Sequence, residues 1–238
     1  MNPSPTGEAA RLSDLLRSLL FYPAFYGITV GMALFIPLVL VLPRGATLRW
    51  CSWWAAGQRW CMRWIMGVKV VVEGPMPTRP VLVAMKHESF FEAIDLPVLF
   101  RFPVVFAKVE LLRLPLWGKA GLRYGLIPVE RDQGARALRA MVAAARASVG
   151  EGRHLVIFPE GTRVPHGGPA PLQAGFAGLY KLIGLPVVPV AVNSGPLYHR
   201  WIKRSGTLIY RFGAEIPPGL PRDEVEARVQ AAINALNG

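Results

Sequence analysis

Residues 81–92 read Val81-Leu82-Val83-Ala84-Met85-Lys86-His87-Glu88-Ser89-Phe90-Phe91-Glu92. The first five are apolar and rich in β-branched type, a length and composition that predict a short buried strand. A charged turn follows, and then a stretch that can start a helix. The pattern repeats along the chain. An apolar run at 70–72 precedes it, and others follow at 104–107, 126–129, 155–158, 187–192 and 208–212. Helical patterns lie between several of them. The clearest covers 135–148, with Leu138, Met141, Val142 and Ala145 on one face, and Gly150 and Gly152 stop it. A last helix is expected from about Arg222 to Leu236. Strands separated by helices predict an α/β domain over 68–238, with a mixed central sheet flanked by helices. In such sheets ligand sites form at the loops that leave the strand ends.

Those loops carry the chemistry. His87 stands in the turn after the first run and Glu92 five residues on. A carboxylate can fix the imidazole tautomer through one ring nitrogen while the other takes a proton from a hydroxyl. Five residues is a poor spacing for one helix face. It works if His87 precedes the helix and Glu92 lies in its first turn. The plainer reading is that Ser89 and Glu92 form a capping box, and Asp95 is a second acid within reach. Phe91 stands where a zinc-protease HExxH motif needs its second histidine, so that class is excluded. In 125–131 an apolar strand ends in Glu130-Arg131, where a guanidinium can grip a phosphate or simply pair on the surface. In 158–163, Phe158-Pro159-Glu160-Gly161-Thr162-Arg163 leaves another apolar run. Gly161 allows close backbone approach, Thr162 supplies a hydroxyl and Arg163 a cation. Pro-x-Gly is equally the chemistry of an ordinary turn. The run 185–192, with Pro186 and Pro189, reads as a buried or edge strand. His154, His166 and His199 have no acid at matching spacing and read as structural or exposed.

The formal net charge is +12, the pI about 10.4, the mean hydropathy +0.33, and hydrophobic residues make up 52%. A basic balance points to an anionic partner. Residues 18–43 carry no charged side chain and would reach roughly 39 Å as a helix, enough for a bilayer core. Pro23, Pro37, Gly27 and Gly31 leave a straight, kinked or half-inserted helix open. In the next stretch Trp50, Trp53, Trp54, Trp60 and Trp64 interleave with Arg44, Arg49, Arg59 and Arg63. Trp at headgroup depth and Arg on lipid phosphate predict an amphipathic interfacial helix. The expectation is a short segment 1–17, a membrane-associated two-helix hairpin over 18–67, and the α/β domain beyond. The partner this favours is a membrane surface with anionic lipids, and not nucleic acid, because the Arg residues are scattered and no aromatic–basic RNA-binding motif is present. Arg and Lys are denser after the apolar run than before it, which places the following domain in the cytoplasm. Cys51 and Cys61 read as small apolar residues in a reducing compartment.

Taken together and in order, the four blocks resemble the glycerolipid acyltransferase family, whose best-known members are 1-acyl-glycerol-3-phosphate acyltransferases. The family shows an H-x4-D block, a block ending in an acid and Arg, an F-P-E-G-T-R-like block and a V-P-V-like block. Here they are His87 to Glu92, Gly125 to Arg131, Phe158 to Arg163, and Val188 to Val190. The resemblance runs from about Trp64 to the C-terminus. Glu92 departs from the usual Asp, although some bacterial relatives that build lipid A use Glu there. The resemblance implies that His87 is general base and Glu92 orients it. It implies that Lys108, Arg131, Glu160, Gly161, Thr162 and Arg163 hold the acceptor's phosphate. It implies an acyl-CoA or acyl carrier protein donor, a lysophospholipid acceptor, no metal or organic cofactor, and a bacterial-type inner membrane with the catalytic domain on its cytoplasmic face. The same chemistry on a lyso-ornithine or lipid A-type acceptor stays open, as does a non-catalytic scaffold of the same fold.

Overall fold

An uninterrupted apolar run needs neighbours on both sides and cover on both faces. That is the situation of residues 82–85, which are buried at every position. The computed structural model describes residues 11–129 and 134–237. In chain order the described elements are α1 (Leu12–Ala33), α2 (Ile36–Val41), α3 (Arg44–Trp60), a π-helical turn (Cys61–Ile65), β1 (Val68–Glu73), β2 (Leu82–Met85), α4 (Phe91–Leu99) and β3 (Val104–Lys108). They continue with α5 (Val109–Leu112), α6 (Trp117–Tyr124), β4 (Ile127–Val129), α7 (Gly134–Gly150), β5 (Leu155–Ile157), α8 (Ala174–Ile183), β6 (Val187–Val192), α9 (Gly195–Tyr198), β7 (Gly206–Phe212) and α10 (Arg222–Ile233).

The strands form one sheet in the order β1-β7-β6-β2-β5-β3-β4. Every pair is parallel except β6 with β7. The sheet is therefore mixed, with β2 central between β6 and β5. Alternation along β2 splits the core. Leu82 and Ala84 join Phe176, Leu179, Val225 and Val229 under α8 and α10, while Val83 and Met85 join Phe91 and Leu96 of α4 on the other face.

That second face is completed by the N-terminal helices. Phe21 of α1 is 1% exposed and shares a core with Val83, Val190, Cys61 and Met62. Gln58 of α3 donates to Phe25 O and Thr29 Oγ1 of α1 at 3.3 and 3.0 Å. Arg59 forks onto the buried Asp95 of α4, Nε at 2.6 Å and Nη2 at 2.5 Å, and Tyr210 of β7 donates to the same carboxylate at 3.0 Å. Asp95, a second candidate acid in the sequence, is thus tied to Arg59 and Tyr210 and does not face His87. α1 starts at Leu12, upstream of the charge-free run, and α2 follows it as a separate short helix.

The outward side of this layer is apolar. Leu19, Leu20 and Val30 of α1, Leu34, Leu38 and Val41, and Trp53, Trp60 and Trp64 are exposed. Among the described residues α1 alone is long and apolar enough to cross a membrane, with little of it buried. A band of this kind fits membrane association.

Candidate active site

Parallel strands run the same way, so the ends of β6, β2, β5 and β3 lie along one edge of the sheet. The turns leaving β2, β5 and β6 meet there around two carboxylates.

The first is Glu92, fully buried in the first turn of α4. His87 Nδ1 donates to its Oε1 at 3.0 Å. The same oxygen accepts the backbone N–H of Glu88 at 2.6 Å and of Ser89 at 2.7 Å. The hydroxyls of Ser89 and Ser194 reach Oε2 at 2.7 and 2.6 Å. The carboxylate that binds the two N–H groups just before the helix is therefore also the one that orients the histidine, while Ser89 Oγ accepts the Phe91 N–H and does not complete a capping box. Burial pushes its pKa up, but the hydrogen bond and charge of His87, with Ser194 and the Ser89 N–H, hold it below the ordinary 4.5. An ionised Glu92 keeps the His87 proton on Nδ1 and leaves the Nε2 lone pair for an incoming hydroxyl. The ring stacks on Phe158 with centroids 4.2 Å apart, and its side chain keeps 17% exposure.

A depressed carboxylate binds fewer protons folded than unfolded. Its stabilisation is complete above pH 4.5 and is lost as pH falls through the folded-state value. Glu92→Gln is therefore expected to cost about 1–3 kcal/mol at pH 7, from donors left poorly satisfied. The gap to the native protein narrows below pH 4.5, which denaturant titrations at several pH values will read.

Beneath the histidine lies a buried ion pair. Lys86 Nζ donates to Glu160 Oε1 at 2.7 Å, Asn234 Oδ1 at 2.8 Å and Gly168 O at 3.0 Å, and both side chains of the pair are 0% exposed. Glu160 Oε2 accepts the His87 N–H at 3.1 Å. Glu160 was expected among the groups that hold substrate. Its carboxylate is instead turned inward, supporting the backbone of His87, because a buried ammonium lies below the loop. Lys86 pairs with it across a separation of 74 residues, which no local pattern reveals.

The remaining candidates are arranged as follows. Gly161 has φ +65°, the left-handed region that suits glycine, and its N–H closes the turn through Pro159 and Glu160 on Phe158 O at 2.9 Å. Thr162 and Arg163 are exposed, and the Arg163 guanidinium lies 4.0 Å over the ring of Phe90. Stacking of this kind fixes the guanidinium plane while leaving its N–H edge usable. Lys108 is exposed at the end of β3. Arg131 lies outside the described residues.

The second carboxylate is Glu88, 1% exposed. His166 Nδ1 pairs with its Oε1 at 2.9 Å, and Oε2 accepts the Gly195 N–H at 2.8 Å. His166 thus has an acidic partner, 78 residues away in sequence, where spacing alone suggested none. Ser194 and Glu88 were likewise not singled out. A serine two residues after an apolar strand, at an edge where other strand ends carry polar residues, is the available signal for Ser194.

The acyltransferase family model matches residues 67–193. The 1-acyl-sn-glycerol-3-phosphate acyltransferase of Pseudomonas aeruginosa is 31% identical over 175 residues, 72% of this chain and 65% of that protein. The mouse 1-acyl-sn-glycerol-3-phosphate acyltransferase alpha is 28% identical over 179 residues, 71% of this chain and 63% of that one. The match thus spans a little under two thirds of each relative. In fold the chain is similar to the crystal structure of the 1-acyl-sn-glycerophosphate acyltransferase of Thermotoga maritima. The TM-score is 0.72 at 21% identity, over 93% of this chain and 95% of that one.

Proposed function

The chain belongs to the acyltransferase family, and from that premise we propose that it moves a fatty acyl group from a thioester to the free hydroxyl of 1-acyl-glycerol 3-phosphate, giving phosphatidic acid. The observation that carries this reading is the 3.0 Å contact between His87 Nδ1 and a fully buried Glu92 at the ends of parallel strands. His87 Nε2 takes the hydroxyl proton as the oxygen attacks the thioester carbonyl. The tetrahedral intermediate collapses, the C–S bond breaks, and the imidazolium returns the proton to the departing thiolate. Direct transfer needs no acyl-enzyme and no step in it calls for a cofactor. The donor is acyl-CoA or acyl carrier protein.

Arg163, the Gly161–Thr162 turn, Arg131 and Lys108 are the groups suited to the acceptor phosphate. Residues 18–67 serve as the membrane-associated part and 68–238 as the catalytic part. Acceptor and product both live in a bilayer, and the exposed apolar band on α1 to α3 supports an enzyme seated on its surface, among anionic lipids. The excess of Arg and Lys after the apolar run favours the cytoplasmic face of a bacterial-type inner membrane.

The test is conversion of labelled lysophosphatidic acid to phosphatidic acid in detergent micelles, with each donor in turn. Product formation is the expected result. An inactive native protein with both donors would remove this acceptor, and lyso-ornithine and lipid A-type acceptors would be tried next.

A further inference from the structure

Glu88 and His166 have no part in the transfer described above, yet they sit at its centre. Glu88 is the residue after His87, and its N–H feeds Glu92 Oε1 at 2.6 Å. Its carboxylate joins two other turns. One oxygen holds His166, on the long connection after β5, and the other holds the Gly195 N–H after β6. Gly195 is packed so closely that a Cβ there would lie 3.1 Å from Glu88 Oε2 and 3.4 Å from His166 Cβ. The residue before it is Ser194, whose hydroxyl donates to Glu92. The connection carrying His166 is also pinned beside it, where Val164 N–H donates to His87 O at 2.7 Å. Burial pushes the Glu88 carboxyl pKa up, while the Gly195 N–H and His166 pull it back. A carboxylate in that setting depends on its imidazole partner.

We propose that Glu88 and His166 form a second His–carboxylate dyad that acts as a latch, holding the Thr162–Arg163 end of the 158–168 connection against the catalytic turn so that the acceptor's phosphate meets a pre-placed site. The assignment rests on the acceptor reading given above. His166 is a positioning residue in it: the pair orders a loop, and His87 remains the base. Pre-ordering lowers the cost of binding without changing the chemical step, so the latch is written in KM rather than in kcat.

The test uses the full chain in micelles, with His166→Ala and His166→Asn. Asn can offer an N–H from near the Nδ1 position. His166→Ala is expected to raise KM for lysophosphatidic acid about tenfold, the weight of one net hydrogen bond, with kcat and the thioester KM within about twofold. His166→Asn recovers most of that loss. Hydrogen exchange gives a readout free of substrate. The Val164 and Gly195 amides, held in the native protein by His87 O and Glu88, should exchange about tenfold faster in His166→Ala, while core strand amides do not change. An unchanged acceptor KM in a folded His166→Ala overturns the latch. So does a fall in kcat that tracks a lowered melting temperature, or an Asn variant no better than Ala. If native protein does not acylate lysophosphatidic acid, the acceptor reading fails, and exchange alone decides: faster exchange at the two amides keeps the latch, and unaltered exchange removes it.

Discussion

His87→Ala is expected to lower acyl transfer by about a thousandfold, within the range that a positioned general base contributes, while the protein keeps its fold. The two halves of this expectation have separate causes. Activity falls because Nε2 is the atom placed to take the hydroxyl proton, and no other described imidazole shares the Glu92 carboxylate. The fold survives because little depends on the ring. It is partly exposed, and its contacts are one stacking face on Phe158 and the hydrogen bond to Glu92. Glu92 loses one partner but keeps the Glu88 and Ser89 N–H groups and the Ser89 and Ser194 hydroxyls. The measurement is rate in micelles beside thermal unfolding of the same preparation. A folded His87→Ala protein retaining a tenth of native activity would dismiss His87 as the base.

Lys86→Met is expected to show the opposite pattern, a large loss of stability from a residue that never meets substrate. Removing the ammonium leaves Glu160 buried and uncompensated, and breaking a buried pair from one side costs about 3–5 kcal/mol. Gly168 O and Asn234 Oδ1 lose their donor in the same step. The double change Lys86→Met with Glu160→Gln is expected to recover much of the loss, since it removes both charges together. Glu160 Oε2 also accepts the His87 N–H, so the single variant should become less active as the catalytic turn loosens. Denaturant unfolding in detergent is the check. A single variant within about 1 kcal/mol of native would show that Glu160 had neutralised at no cost, against the expectation for a buried unpaired charge.

These two residues are neighbours in the chain, and they differ in how legible they were. His87 was readable because its partner is local. A histidine before a helix and an acid in the first turn are brought together by the turn itself, whatever the rest of the fold does. The apolar runs were readable for the same reason. Short runs rich in apolar and β-branched residues, and the 3.6 period of helices, are properties of neighbouring residues, and they were enough to place all seven described strands and the long helix at 134–150 within a few residues. Lys86 was not readable, because its partner Glu160 is 74 residues away. The pairs Glu92–Ser194, Glu88–His166 and Arg59–Asp95 are hidden likewise, at separations of 102, 78 and 36.

Patterning also said that residues 18–43 were apolar and that Trp and Arg alternated after them. It could not say which of these side chains turn inward. An apolar helix suits a bilayer and a sheet face equally, and α1 has a face of each kind: Phe21 sits in the core while Leu19 and Leu20 are exposed. What local residue order establishes here is the α/β class, the position of the His87–Glu92 turn and the apolar N-terminus. Which distant polar groups meet is set by strand order. With β2 seated between β6 and β5, three turns far apart in the chain converge on one edge. That order is a matter of global packing of two apolar faces, and it leaves no trace in the spacing of neighbouring residues.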